Sequence, residues 1–172
     1  MKRCYAIGVL ILFLVGCASS HGIGLTLLDA RSGEQPMVVD HEGPAAVTRD
    51  AELRLTLLPG RSALLLTVQA VGESEIWIDW DACRFVWPDG HAEAVLGSAP
   101  GLGAGDVGLR TPTRLRRGVP HALVLTPQSR AGRRLVDRSA GPPSPDAVYQ
   151  LELALRVGDR ERRYTLRFTL SS

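Results

Sequence analysis

Beyond position 2 this chain has no lysine, so every other cationic side chain is an arginine. It has only three cysteines, and two of them, Cys4 and Cys17, lie in or beside an N-terminal apolar run. That leaves Cys83 alone in the body of the chain, which excludes an internal disulfide there and requires the core to hold by burial. A lone cysteine is more often a small buried hydrophobe than a nucleophile. Cys83 falls at period two with Phe85 and Trp87, so burial is expected. After the N-terminal run no stretch approaches the roughly 20 apolar residues of a spanning helix, and no long helical periodicity appears. The chain has no G-x-S-x-G elbow. His21, His41, His91 and His121 show no i, i+4 pair, and no Cys-x-x-Cys is present, so neither a zinc site nor any cofactor is expected.

The chain opens on Met1-Lys2-Arg3, followed by an uncharged apolar run from Tyr5 to Leu14. A basic start and a short apolar core predict a helical export signal. The run ends in Leu14-Val15-Gly16-Cys17, which resembles the bacterial lipobox. The resemblance implies diacylglycerol on the Cys17 thiol, cleavage between Gly16 and Cys17, and acylation, typically with palmitate, of the new amine. One acyl chain holds a protein marginally, whereas two or three hold it stably. The expected organisation is a cleaved signal peptide over 1–16, a lipidated N-terminus and short tether over 17–22, and one domain over 23–172. Ala18 stands where some lipoproteins carry an inner-membrane retention aspartate, so the expected address is the outer membrane, facing the periplasm. Loss of Lys2 and Arg3 brings the formal charge from +2 to zero. A neutral domain carries no global signal for nucleic acid.

Short alternating runs separated by Gly, Pro, Asp and Ser predict an all-β domain. Leu53, Leu55 and Leu57 alternate with Arg54 and Thr56, and Pro59-Gly60 turns the chain. Leu64, Leu66, Val68 and Ala70 share a face. Ile76, Ile78 and Trp80 alternate with Trp77, Asp79 and Asp81, so the pattern predicts one strand over all six. A strand from Ala82 to Trp87 is followed by the Pro88-Asp89-Gly90 turn and a return over His91 to Leu96. Ala122 to Thr126 is a further short strand. The terminal hairpin is the clearest element: Tyr149, Leu151, Leu153 and Leu155 face one way, Gly158-Asp159 turns, and Tyr164, Leu166, Phe168 and Leu170 return. Ile23 to Leu28 and Met37 to Asp40 are weaker strands, while Gly97 to Pro112 and Arg138 to Pro145 read as loops. Seven to nine strands with one apolar face each predict an immunoglobulin-like antiparallel β-sandwich, with a closed barrel as the alternative.

The stretch from Leu64 to Val95, with its apolar strand, polar turn, Ile76-x-Ile78-x-Trp80-Asp81 and Asp-Gly hairpin, resembles a pattern in small bacterial lipoproteins. The terminal hairpin is similar too. The resemblance implies a sandwich and brings no catalytic residue. It departs from that pattern at Val71-Gly72-Glu73, where an asparagine is usual.

Gly103-Ala104-Gly105-Asp106-Val107-Gly108 is a literal G-x-G-x-x-G, but Pro100-Gly101 before it and Thr111-Pro112 after it are not the strand and helix that phosphate binding needs. Asp79 and Asp81 would lie about 7 Å apart on one strand face, too few oxygens for calcium. Charge is unevenly placed. From Arg110 to Arg138 there are eight arginines against Asp137, while from His21 to Pro100 twelve acids face five arginines. The arginines either pair with Asp79, Asp81 and Glu93 across strands, or form a patch at Arg114, Arg116, Arg117, Arg133 and Arg134. Such a patch would bind an envelope protein or anionic headgroups, because guanidinium pairs bidentately with oxyanions. The expected function is therefore a membrane-anchored, non-catalytic binding or accessory module. An enzyme with an unrecognised site and a purely structural surface protein are the alternatives.

Overall fold

In the computed structural model, residues 23–60, 63–98, 111–130, 135, 144 and 146–171 are described. They form an all-β domain. Its strands are β1 (Gly24–Ser32), β2 (Gln35–Pro36), β3 (Val38–Glu42), β4 (Ala45–Arg49), β5 (Leu53–Pro59), β6 (Leu64–Ala70) and β7 (Ile76–Ile78). The rest are β8 (Arg84–Val86), β9 (Ala92–Ser98), β10 (Thr113–Leu115), β11 (Pro120–Pro127), β12 (Val148–Val157) and β13 (Arg160–Ser171). Two 3-10 turns, Trp80–Ala82 and Gln128–Arg130, are the helical elements among these residues.

All strand pairs in the ladder are antiparallel. They run in one hydrogen-bonded order, β2-β1-β13-β12-β8-β9-β11-β6-β5-β4-β3, with β7 beside β12 and β10 outside β7. Two segments belong to both halves of this order. The first part of β9 pairs with β8 (Ala94 with Arg84), and its second part pairs with β11 (Val95 with Pro127, Ser98 with Val124). β2 and β3, separated only by Met37, pair with β1 and β4 respectively. The chain therefore carries the sheet from one half to the other at both ends, giving a nearly barrel-like closure. β1 accordingly approaches β3, β4 and β5.

Period-two alternation explains why these strands fold inward as they do. Leu53, Leu55, Leu57, Leu64, Leu66 and Val68 come from one half. Leu151, Leu153, Leu155, Tyr164, Leu166 and Phe168 come from the other. All are buried in one core. Phe85, Trp87, Tyr149 and Phe168 pack with ring centroids 4.9 to 6.3 Å apart. Such aromatic pairs add about 0.5–1.5 kcal/mol each beyond area burial. In β1 the register slips between Leu27 and Asp29. The extra residue, Leu28, stays half exposed beside buried Leu27, and the slip brings Ala30 rather than Asp29 into the core.

The structure corrects several boundaries. The strand expected from Ile76 to Asp81 stops at Ile78, because the Asp79 carboxylate accepts from the Asp81 N–H at 3.1 Å and caps the 3-10 turn Trp80–Ala82. Asp79 and Asp81 thus do not share a strand face. Trp80 is instead buried, and its indole Nε1–H donates to Thr113 Oγ1 at 2.8 Å. Gly97, expected to open a loop, is inside β9. β2, β4 and β10 raise the count among the described residues to thirteen, above the seven to nine expected. β4 was illegible because Ala45, Ala46, Val47 and Thr48 are all buried, so it shows no alternation. Cys83 is buried as expected. Ser98 likewise belongs to β9, while residues 99–110 and most of the Arg138–Pro145 loop lie outside the described residues.

β9 is fixed by two side-chain contacts. A Cβ on Gly97 would lie 2.8 Å from the Trp80 ring. At the other end Glu93 accepts from the Trp87 indole N–H, from the Ser129 N–H at 2.6 Å and from the Ser129 hydroxyl at 2.8 Å. Burial alone would push the Glu93 carboxyl up, but these donors and nearby His91 outweigh it and hold the carboxyl below its ordinary value.

Two outcomes follow. Gly97→Ala should destabilise the domain by about 1–3 kcal/mol through overpacking, read from urea unfolding. Adding Trp80→Phe, which removes the clashing benzo ring, should restore part of that loss; strict additivity of the two changes would contradict the contact. Glu93→Gln should cost about 1–2 kcal/mol at pH 7. Because the folded carboxyl is lowered, the wild-type advantage is present above the ordinary carboxylate pKa and fades as pH falls through the folded value. A difference that persists unchanged at acid pH would exclude the charge as its source.

Candidate functional site

β7 turns Ile76 and Ile78 into the core, which leaves Trp77 on the outer face. Its register partners on the two flanking strands are Arg114 of β10 and Arg156 of β12. Both guanidinium carbons lie near the indole, at 6.0 Å and 5.5 Å from its centroid. An indole face attracts a cation through its quadrupole, so Trp77 holds two arginines from two strands in one row. The next row is shallower. Ala154 lies beside Asp79, whose N–H donates to the Ala154 carbonyl at 2.9 Å, and opposite Arg163 of β13. The small Ala154 side chain leaves a groove of about 370 Å³, walled by Trp77, Asp79, Arg156, Glu161 and Arg163.

Two arginines of this region have carboxylate partners. Arg114 Nε lies 2.7 Å from Glu75 Oε1, and Arg163 Nη1 lies 3.4 Å from Glu152 Oε2. Arg156 is exposed and, among the described residues, stacks on Trp77 with no carboxylate within salt-bridge distance. Glu161, opposite it in the β12–β13 hairpin, has no cationic partner at that distance among the described residues.

The sequence-derived arginines divide three ways. Arg114, Arg116 and Arg117 converge, together lining a second groove with Glu73 and Glu75. Their partners differ from those expected. Arg114 pairs with Glu75, and Arg117 Nη2 lies 3.5 Å from Glu73 Oε1. Asp79, Asp81 and Glu93 pair with none of them: Asp79 caps a turn, and Glu93 holds Trp87 and Ser129. These pairs are exposed and contribute little each. Arg116 is exposed, and its backbone N–H donates to His121 Nε2 at 3.0 Å. Arg130 instead lies over the Trp87 ring at 5.3 Å. Arg133, Arg134, Gly16 and Cys17 lie outside the described residues.

Sequence reasoning missed Trp77, Arg156, Arg163 and Glu161 as site residues. Alternation put Trp77 outward, but nothing local announces that β7 lies against β12, some eighty residues on. The Cys83 thiol is closed off: its Sγ–H donates to the Asp79 carbonyl at 3.2 Å, and burial pushes it up to about 11. A thiol at that value is unreactive near neutral pH. Among the described residues no three His, Cys, Asp or Glu side chains group as a metal site would need.

No protein-family model, no curated protein and no solved structure matches this chain. The row Arg114-Trp77-Arg156 and the groove over Ala154 are therefore read from their own chemistry.

Proposed function

We propose that this chain is a lipid-anchored protein of the bacterial envelope whose β-domain is a non-catalytic binding module. Under this reading residues 1–16 are a cleaved helical signal, Cys17 carries the lipid, and Ala18 favours the outer membrane, facing the periplasm. The fold is then a variant of the immunoglobulin-like sandwich in which β9 and β2–β3 are shared between the two sheets. The shared, inward apolar faces of both halves support that assignment.

The observation that carries the reading is the polarity of the domain along its strands. β1 begins at Gly24, which pairs with Ser171. A tether over 17–22 spans at most about 20 Å when fully extended, so the lipid would sit near that end. The row Arg114-Trp77-Arg156 meets β13 at Glu161. Ten residues of strand separate Glu161 from Ser171, about 33 Å at ordinary rise. That exceeds the tether and is several times the Debye length. The arginine-rich grooves therefore sit at the end away from the anchor, which favours a ligand of the envelope over the headgroups of the anchoring membrane. Non-catalysis is supported by what the candidate groups already do: Asp79 caps a turn and Cys83 is buried with its thiol protonated.

The anchor is tested by Cys17→Ala. Wild-type protein should partition with membranes and incorporate labelled palmitate. The variant should stall in processing or appear in the soluble fraction without label. A variant that fractionates, labels and migrates like wild type would refute the lipid anchor.

A further inference from the structure

We propose that the groove over Ala154 binds a saccharide bearing an oxyanion, such as a sugar carboxylate or phosphate. This rests on the binding-module reading above and not on the lipid anchor. The groove has both hydrogen-bonding polarities. Arg156 and Arg163 only donate, while the Asp79 and Glu161 carboxylates accept. A plain polyanion would gain from the arginines and be repelled by the two carboxylates. A sugar ring uses both, because each hydroxyl donates and accepts. Trp77 also lines the groove, half-buried with the Arg114 and Arg156 guanidinium groups over its ring, so its part is to hold Arg156 in place at the groove wall. Ala154 clears the space in front of it. Arg156 supplies the anion contact: its guanidinium is held against Trp77, is exposed, and has no carboxylate partner among the described residues. A planar fork held in place this way can pair with two oxygens of a carboxylate or phosphate. Binding sites that combine an aromatic lining with a few convergent polar groups are usually preformed, and here the row lies on three hydrogen-bonded strands rather than on loops.

The test is isothermal titration calorimetry on the full chain in non-ionic detergent, with trigalacturonic acid, glucose 6-phosphate, neutral maltotriose and hexaglutamate as probes. At least one acidic sugar should bind in the sub-millimolar range; the two acidic probes distinguish carboxylate from phosphate. Maltotriose and hexaglutamate should each bind at least tenfold more weakly. Arg156→Ala, at an exposed position, should weaken the acidic sugar at least tenfold with unchanged thermal unfolding. Trp77→Ala should do so as well. Arg167→Ala, on the same sheet face but paired with Asp29 outside the groove, should leave binding as in wild type. No heat from either acidic sugar, or binding unaffected by Arg156→Ala, would overturn the site. Hexaglutamate binding as tightly as the sugars would overturn the saccharide assignment while leaving a binding module. Release of new reducing ends from trigalacturonic acid would keep the ligand class and overturn the non-catalytic reading.

Discussion

Closure of the sheet through two shared segments is the constraint on which the rest depends. β9 leaves β8 and joins β11 within seven residues, and Gln35–Glu42 leaves β1 and joins β4 across buried Met37. Each half alone would expose a row of leucines or aromatics. Joined at both ends, the halves bury those rows against each other. The price in local freedom is visible at Gly97, where only a hydrogen lets the strand pass the Trp80 ring.

The groove inherits its rigidity from this arrangement. Trp80 sits under β9 while its indole N–H reaches Thr113, the first residue of β10. β10 in turn presents Arg114 to Trp77. The 3-10 turn that buries Trp80 is the same one that Asp79 caps, and Asp79 is also a wall of the groove. A single short segment, Ile76 to Ala82, thus fills the core with Ile76, Ile78 and Trp80 while showing Trp77 and Asp79 to solvent. Outer-face chemistry and inner-face packing are coupled through residues one position apart.

The sequence made the long strands legible because their alternation is strong and local: Leu53 to Leu57, Leu64 to Ala70 and the terminal hairpin all appear within a few residues of where they were expected. β4 lacks alternation because it is buried on both faces, and β2 and β10 are too short to show any. The strand through Asp79 was overextended because an Asx-type cap competes with the ladder and leaves the hydrophobic period unchanged. Of the candidate site, Arg114, Arg116 and Arg117 were legible as a cluster along the chain. Arg156, Arg163 and Trp77 were not, since their proximity arises from pairing between strands distant in sequence. The partners of Arg114 and Arg117, Glu75 and Glu73, are likewise set by the β7–β10 register.

The claim that the two halves form one closed core is tested most directly by native-state hydrogen exchange on the full chain. The amides of Leu66 in β6, Leu96 in β9 and Leu166 in β13 should open with one common free energy, that of global unfolding, because neither half can shed its partner while β9 and β2–β3 hold both. Exchange through two separate openings, with β3–β6 released about 2 kcal/mol or more below β12–β13, would show that the halves are independent units and would contradict the account.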